Sequence, residues 1–220
     1  MENKCNLGIA YDGDGDRCLA VDENGEEIDG DKLIAIISNY LKEKGKLANN
    51  TIVATVMSNL GLKKYAENNG ITIKQTKVGD RYVLEEMLKN GYNVGGEQSG
   101  HVILLDYNPT GDGILTSLML IKIMLEKKKS ASELCKIIKM YPQVLVNAKV
   151  SAEKKKDYEN DEEIQKAIKE LEEEFSGNGR VLIRPSGTEP VIRVMLEGED
   201  QAYLQTRAEN LAKLIEKKLK

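Results

Sequence analysis

Apolar and polar positions along the chain fall into short blocks whose period changes repeatedly between that of a strand and that of a helix. Leu7 to Tyr11 is an apolar run that predicts a buried strand, broken at once by the Asp/Gly cluster Asp12 to Asp16. Cys18 to Val21 predicts a second strand, and Asp22-Glu23-Asn24-Gly25 a turn. Asp29 or Asp31 can cap a helix whose apolar face is Leu33, Ile36, Ile37, Tyr40 and Leu41. The pattern then alternates. Strands are expected at Thr51 to Val56, Ile71 to Lys74, Tyr92 to Val94 and Val102 to Leu105. Helices are expected from a Ser58 cap to Gly70, and over Arg81 to Lys89, Gly113 to Lys127 and Ala131 to Met140. Pro142 and a change of pattern mark a boundary, after which strands at 143–150, 180–184 and 191–197 are interleaved with helices at 161–174 and 201–219. This ordering predicts an α/β fold: a mixed-sheet α/β domain followed by a small α+β C-terminal domain.

Composition narrows the class. With 40% hydrophobic and 31% charged residues the chain reads as an ordinary folded protein. No stretch approaches the roughly 20 apolar residues a spanning helix needs, and no apolar leader is visible, so no membrane partner is expected. A net charge of −4, with basic residues scattered among acidic ones, argues against nucleic acid. Three cysteines without C-x-x-C spacing fit reduced thiols and a cytoplasmic location.

Three loops carry candidate chemistry. In Asp12-Gly13-Asp14-Gly15-Asp16-Arg17, carboxylates at alternate positions can converge on one hard cation if the glycines let the backbone coil. Oxygen-only ligation selects magnesium or calcium. A calcium-hand reading fails because its sixth position requires glycine and is Arg17 here, a residue better suited to phosphate oxygens beside a metal. In Gly95-Gly96-Glu97-Gln98-Ser99-Gly100-His101, Glu97 and Ser99 can hydrogen-bond neighbouring sugar hydroxyls, while a single histidine at a strand start is more often structural. In Arg184-Pro185-Ser186-Gly187-Thr188-Glu189-Pro190 with Arg193, guanidiniums, hydroxyls and free amides around a glycine form a nest for a phosphate dianion. Lys77-Val78-Gly79-Asp80-Arg81 puts two cations at a helix start, where an anion is also favoured. Asn108 to Gly113 reads as a cap and turn.

In order along the chain, DGDGDR, KVGDRYVLEEM, GGEQSGH and RPSGTEPVIRVMLEG resemble the α-D-phosphohexomutase superfamily, and the last three are most similar to its phosphoglucosamine mutase branch. The resemblance implies the chemistry of a phosphohexomutase (isomerase): a phosphoserine donates its phosphoryl group to a hexosamine phosphate, and the bisphosphate reorients and returns the other phosphoryl group to the serine. It implies Mg2+ held by Asp12, Asp14 and Asp16, with Arg17 against the donor phosphate. Glu97 and Ser99 would read the sugar, supported by His101. Arg184, Ser186, Gly187, Thr188 and Arg193 would clamp the phosphate that is not reacting. Lys77, Arg81 and His101 remain alternatives for proton handling or charge stabilisation.

The family's serine loop has no match in these residues. Residues 1–26 are therefore expected to be the end of domain two, carrying the metal loop, 27–140 the α/β sugar-binding domain three, and 141–220 the α+β phosphate-binding domain four. Such a fragment is not expected to turn over alone; its lone first strand would pair with domain three or with another copy, and the missing N-terminal domains or another copy are the chain's expected partners. Two rival readings stand beside this one: a phosphomannomutase or phosphoglucomutase, and a non-catalytic sugar-phosphate-binding module or half of a split enzyme.

Overall fold

The computed structural model describes residues 4–220, which form two compact units, one ending at Met140 and the other spanning Tyr141–Lys220. Among the described residues no helix is long and apolar enough to cross a membrane.

The first unit opens with an antiparallel sheet of β1 (Leu7–Tyr11), β2 (Cys18–Asp22) and the short β3 (Glu27–Ile28), in that order. Helix α1 (Gly30–Glu43) follows, capped by Asp29, whose side chain accepts the Lys32 amide. Asp31, the other candidate cap, lies inside the helix, fully buried, and accepts the Asn59 amide at 2.6 Å. A mixed sheet in the order β5 (Thr72–Thr76), β4 (Thr51–Thr55), β6 (Val94–Gly96) and β7 (Val102–Leu104) forms the centre. β4 pairs in parallel with β5 and β6, whereas β7 runs antiparallel to β6. Every residue of β4 is buried, as expected of a central strand covered on both faces. Its period of two divides the core: Ile52 and Ala54 pack with Leu33, Ile37, Leu62 and Leu120, while Val53 joins Val83, Met87 and Ile103 on the opposite face.

Four more helices complete this unit: α2 (Leu60–Asn68), α3 (Asp80–Asn90), α4 (Gly113–Lys127) and α5 (Ala131–Cys135). The cap of α2 is Asn59, not Ser58, because the Asn59 side chain accepts the Gly61 amide at 2.8 Å. β6 lies two residues beyond the expected strand and includes two glycines. A Cβ at Gly95 would meet the Met87 sulfur at 2.6 Å, so the bare backbone is what lets α3 pack on the strand. α5 stops at Cys135 rather than Met140. The chain beyond it crosses α2 so closely that a Cβ on Gly61 would lie 2.1 Å from the Lys139 carbonyl oxygen.

The second unit is an antiparallel sheet in the order β8 (Gln143–Lys149), β10 (Val191–Glu197), β9 (Arg180–Pro185), with helices α6 (Glu162–Glu174) and α7 (Gln201–Leu219). Val144, Ala148, Ile192, Val194 and Leu196 point to the core with Ile164, Leu171, Leu211 and Ile215 of the helices. The intervening residues, Arg193 among them, face away from that core. At one end of the sheet the fully buried Glu197 sits opposite Gln143 and Arg180, with the Arg180 Nε 2.7 Å from its carboxylate.

Candidate functional site

The metal-loop candidate is the hairpin tip between β1 and β2, which are in register from Leu7↔Asp22 to Tyr11↔Cys18. Gly15, at φ +76°, supplies the left-handed turn that lets the tip coil. One oxygen from each of Asp12, Asp14 and Asp16 lies within 4.8 Å of the others. The Arg17 amide donates to Asp12 Oδ1 at 3.2 Å, and its Nε lies 3.6 Å from Asp12 and 3.8 Å from Asp16. Burial, the largest single influence on the Asp12 carboxyl, pushes its pKa upward. The Arg17 amide, the Asp16 carboxyl and the Arg17 charge together outweigh it, and the net shift is downward. Asp16 Oδ1 is buried without a hydrogen-bond partner. Three convergent carboxylates, one with an orphaned buried oxygen, fit a hard divalent cation, because crowded carboxylates without one repel.

The loop between β6 and β7 is built against this tip. Gly100, at φ +92°, accepts the Cys18 amide at 3.1 Å, and a Cβ there would lie 2.3 Å from the Cys18 carbonyl oxygen. The next residue, His101, is buried, with Nδ1 3.0 Å from Asp16 Oδ2, while its Nε2 accepts the Gly111 amide at 3.2 Å. Gly113 donates its amide to the Gly15 carbonyl at 2.9 Å. The segment Asn108 to Gly113, read from sequence as a cap and turn, does cap α4 through Asp112, but it also buttresses the metal-loop candidate. Its one local signal is a glycine on each side of a capping aspartate.

Glu97 is half-buried and accepts the Gly79 amide at 3.0 Å, which brings the Lys77 to Arg81 segment to the same loop; Ser99 is exposed. Gly79, at φ +129°, makes the turn into α3. Arg81 is committed to Glu85 at 2.7 Å, whereas the exposed Lys77 has no ion-pair partner among the described residues. In the first unit the structure therefore gathers Asp12, Asp14, Asp16, Arg17, Glu97 and His101, with Lys77 and Arg81 beside Glu97.

In the second unit Arg184 and Arg193 are direct cross-strand partners. Burial, and then the positive charge of Arg193, lower the Arg184 pKa, and Arg184 has no carboxylate partner among the described residues. Arg193 reaches Glu189 at 3.1 Å, and its Nε is buried without a hydrogen bond. Like charges placed opposite each other on a sheet are destabilising unless an anion joins them. The loop itself is closed by Ser186, which is buried, donates its amide to Val191 and accepts the Glu189 amide at 3.2 Å on its hydroxyl. Gly187 and Thr188 are exposed at its tip. A residue absent from the sequence-based candidates, Lys155, donates to the Ser186 and Glu189 carbonyls at 2.5 and 3.2 Å. It lies in a lysine run that reads as a solvated face, so no local signal distinguishes it.

Comparison with known proteins identifies the family and the fold. Residues 29–141 match the phosphoglucomutase/phosphomannomutase alpha/beta/alpha domain III, and residues 145–214 match the C-terminal domain of the same family. The phosphoglucosamine mutase of Ruminiclostridium cellulolyticum is 60% identical over 218 residues, 99% of this chain and 49% of the relative. That of Caldicellulosiruptor saccharolyticus is 59% identical over 219 residues, 100% of this chain and 49% of the relative. The chain thus spans about half the length of these relatives. Among solved structures, Aspergillus fumigatus N-acetylphosphoglucosamine mutase in complex with GlcNAc-6P and magnesium superposes with a TM-score of 0.76. At 20% identity over 96% of this chain and 49% of that one, it shares the fold.

Proposed function

The chain belongs to the phosphoglucomutase/phosphomannomutase family, and from that premise we propose that it carries the cation, sugar and phosphate sites of a phosphoglucosamine mutase, which interconverts glucosamine 6-phosphate and glucosamine 1-phosphate. The observation that carries this reading is the convergence of Asp12, Asp14 and Asp16, with Asp16 Oδ1 buried and without a hydrogen bond, directly beside the Glu97 to His101 loop. Residues 1–26 are the end of the family's second domain, 27–140 its third and 141–220 its fourth. The donor phosphoserine belongs to an N-terminal half of the kind the relatives' greater length accommodates, and the enzyme is cytoplasmic.

In this reading Asp12, Asp14 and Asp16 hold Mg2+, which when bound offsets negative charge on the transferring phosphoryl group. Arg17, already 3.6 and 3.8 Å from two of those carboxylates, gives its remaining donors to the donor phosphate. Glu97 and Ser99 accept and donate hydrogen bonds to the sugar. With one carboxylate oxygen fixed by the Gly79 amide, Glu97 presents the other in a set direction. Lys77, which has no acidic partner among the described residues and lies on the segment tied to Glu97, balances charge on the attacking hydroxyl, and Arg81 supports it. Arg184, Arg193, the Gly187 and Thr188 amides and the Ser186 and Thr188 hydroxyls take the phosphate that is not reacting, and Arg193 exchanges Glu189 for that dianion. The relatives' name, phosphoglucosamine mutase, favours this reading over a phosphomannomutase or phosphoglucomutase.

The test joins this chain to the N-terminal half of the Ruminiclostridium relative and compares turnover of glucosamine, mannose and glucose 6-phosphates. Glucosamine 6-phosphate should be preferred, and Arg184→Met should raise KM more than it lowers kcat. Equal turnover of all three sugars would overturn the substrate assignment. Turnover by the chain alone would overturn the assignment of the donor serine to another segment and, with it, any reading as a binding module.

A further inference from the structure

We infer that Asp80 is the residue that distinguishes glucosamine from glucose: its carboxylate, on the turn bound to Glu97, pairs with the protonated amine at C2 of the sugar. The inference rests on the reading of Glu97 and Ser99 as the sugar loop, and it names the group that selects among sugars there.

The substrate sets the requirement. Glucosamine 6-phosphate and glucose 6-phosphate differ only at C2, where one carries an amine that is protonated near neutral pH and the other a neutral hydroxyl. A carboxylate favours the cation by charge as well as by hydrogen bonding, and a hydrogen bond between charged groups is about twice as strong as a neutral one. Glu97 does not meet the requirement alone. One of its oxygens is held by the Gly79 amide at 3.0 Å, and the hydroxyls open to the other are common to both sugars.

Asp80 supplies a second carboxylate beside it. It is the first residue of α3 and directly follows Gly79. With the Gly79 amide 3.0 Å from Glu97 Oε1, one further residue of backbone puts the Asp80 Cα within about 8 Å of that oxygen, close enough for one hexose to touch both side chains. Asp80 is exposed, and neither neighbouring cation neutralises it: Arg81 is committed to Glu85 at 2.7 Å, and Lys77 forms no ion pair among the described residues. Tyr82 shelters the turn. Its ring Cδ2 would lie 3.3 Å from a Cβ on Gly79, so the ring packs on the bare glycine, keeps water from that side and strengthens a charge pair next to it. The ordinary role of an aspartate in the first turn of a helix is to offset the helix dipole, an effect that is the same whichever sugar is bound.

The 15N-labelled chain is titrated with each of the two sugar phosphates at about pH 6.5, where the amine is protonated, and dissociation constants are read from the amide resonances of Gly79, Glu97 and Ser99. Wild type should prefer glucosamine 6-phosphate by about tenfold or more, the effect of one hydrogen bond to a charged group. Asp80→Asn keeps the shape of the side chain and removes its charge. It should bind the two sugars within about twofold of each other, by losing affinity for glucosamine 6-phosphate alone. Asp80→Glu, which keeps the charge, should retain a preference. Thermal unfolding checks that Asp80→Asn is folded, and Asp80→Ser replaces it if it is not. No preference in wild type, an undiminished preference in Asp80→Asn, or an equal loss for both sugars, as a helix-end role would give, would each overturn the inference. If neither sugar phosphate moves the Gly79, Glu97 and Ser99 amides of wild type, the sugar-loop reading beneath it fails instead.

Discussion

Gly30→Ala is a small change for which opposing effects can be weighed. Gly30 is the first residue of α1, and in a helix alanine is favoured over glycine by at most about 1 kcal/mol. Against that, a Cβ at Gly30 would lie 2.0 Å from the Glu97 carbonyl oxygen, 2.8 Å from the Gly100 nitrogen and 2.9 Å from the Gln98 carbonyl oxygen, where ordinary contact begins at 3.4 Å. All three are backbone atoms of the sugar-loop candidate, so no side chain can swing aside. Overpacking of this kind costs about 1–3 kcal/mol. The Gly30 amide also donates to the Gln98 carbonyl at 2.9 Å, and straining that bond adds about 1 kcal/mol. The steric cost wins, leaving a net destabilisation of about 1–3 kcal/mol. For a unit of this size that lowers the unfolding temperature by about 3–12 °C. Calorimetry or near-ultraviolet circular dichroism would read it. Gly13→Ala, with nothing within 4 Å of the added Cβ, is the control and should unfold close to wild type. If Gly30→Ala unfolds at or above the wild-type temperature, the close apposition of α1 and the Glu97 to Gly100 turn is wrong.

Lys155→Met should weaken glucosamine 6-phosphate binding severalfold in calorimetry, because it frees the Ser186 and Glu189 carbonyls and loosens the loop, whereas Lys155→Arg should retain most of the affinity; a Met variant equal to wild type would remove Lys155 from the clamp. Glu23 gives a pH prediction. Hydrogen bonds from the Ser132 hydroxyl, then Ser130 and backbone amides, lower its pKa from 4.5 to about 2, so its contribution is fully present above pH 4.5 and is lost as pH falls toward 2. Across that window wild type should lose more thermal stability than Glu23→Gln, and parallel curves would exclude the contact between the β2–β3 turn and α5.

The period of apolar residues was enough to place most strands and helices, because burial of one face imposes it locally. It failed where tertiary packing overrode propensity. Gly95 and Gly96 read as loop but form a strand, since only a bare backbone fits beneath Val83 and Met87 at Gly95 and against the His101 carbonyl at Gly96. The candidate loops were legible because carboxylates at alternate positions, a glycine-rich turn and paired arginines are contiguous in sequence.

What the sequence determined by itself was the inventory of chemical groups and the element that carries each. Which groups meet was decided by the tertiary structure. His101 and Asp16 are 85 positions apart, and no local pattern says that one imidazole nitrogen will face a carboxylate while the other faces the amide of Gly111. Nor does the run at Lys154 to Lys156 single out the lysine that grips the Ser186 to Glu189 loop. A hydrogen bond acts over about 3 Å and is directional. Only the folded backbone, brought close by its glycines, fixes where donors and acceptors come to lie.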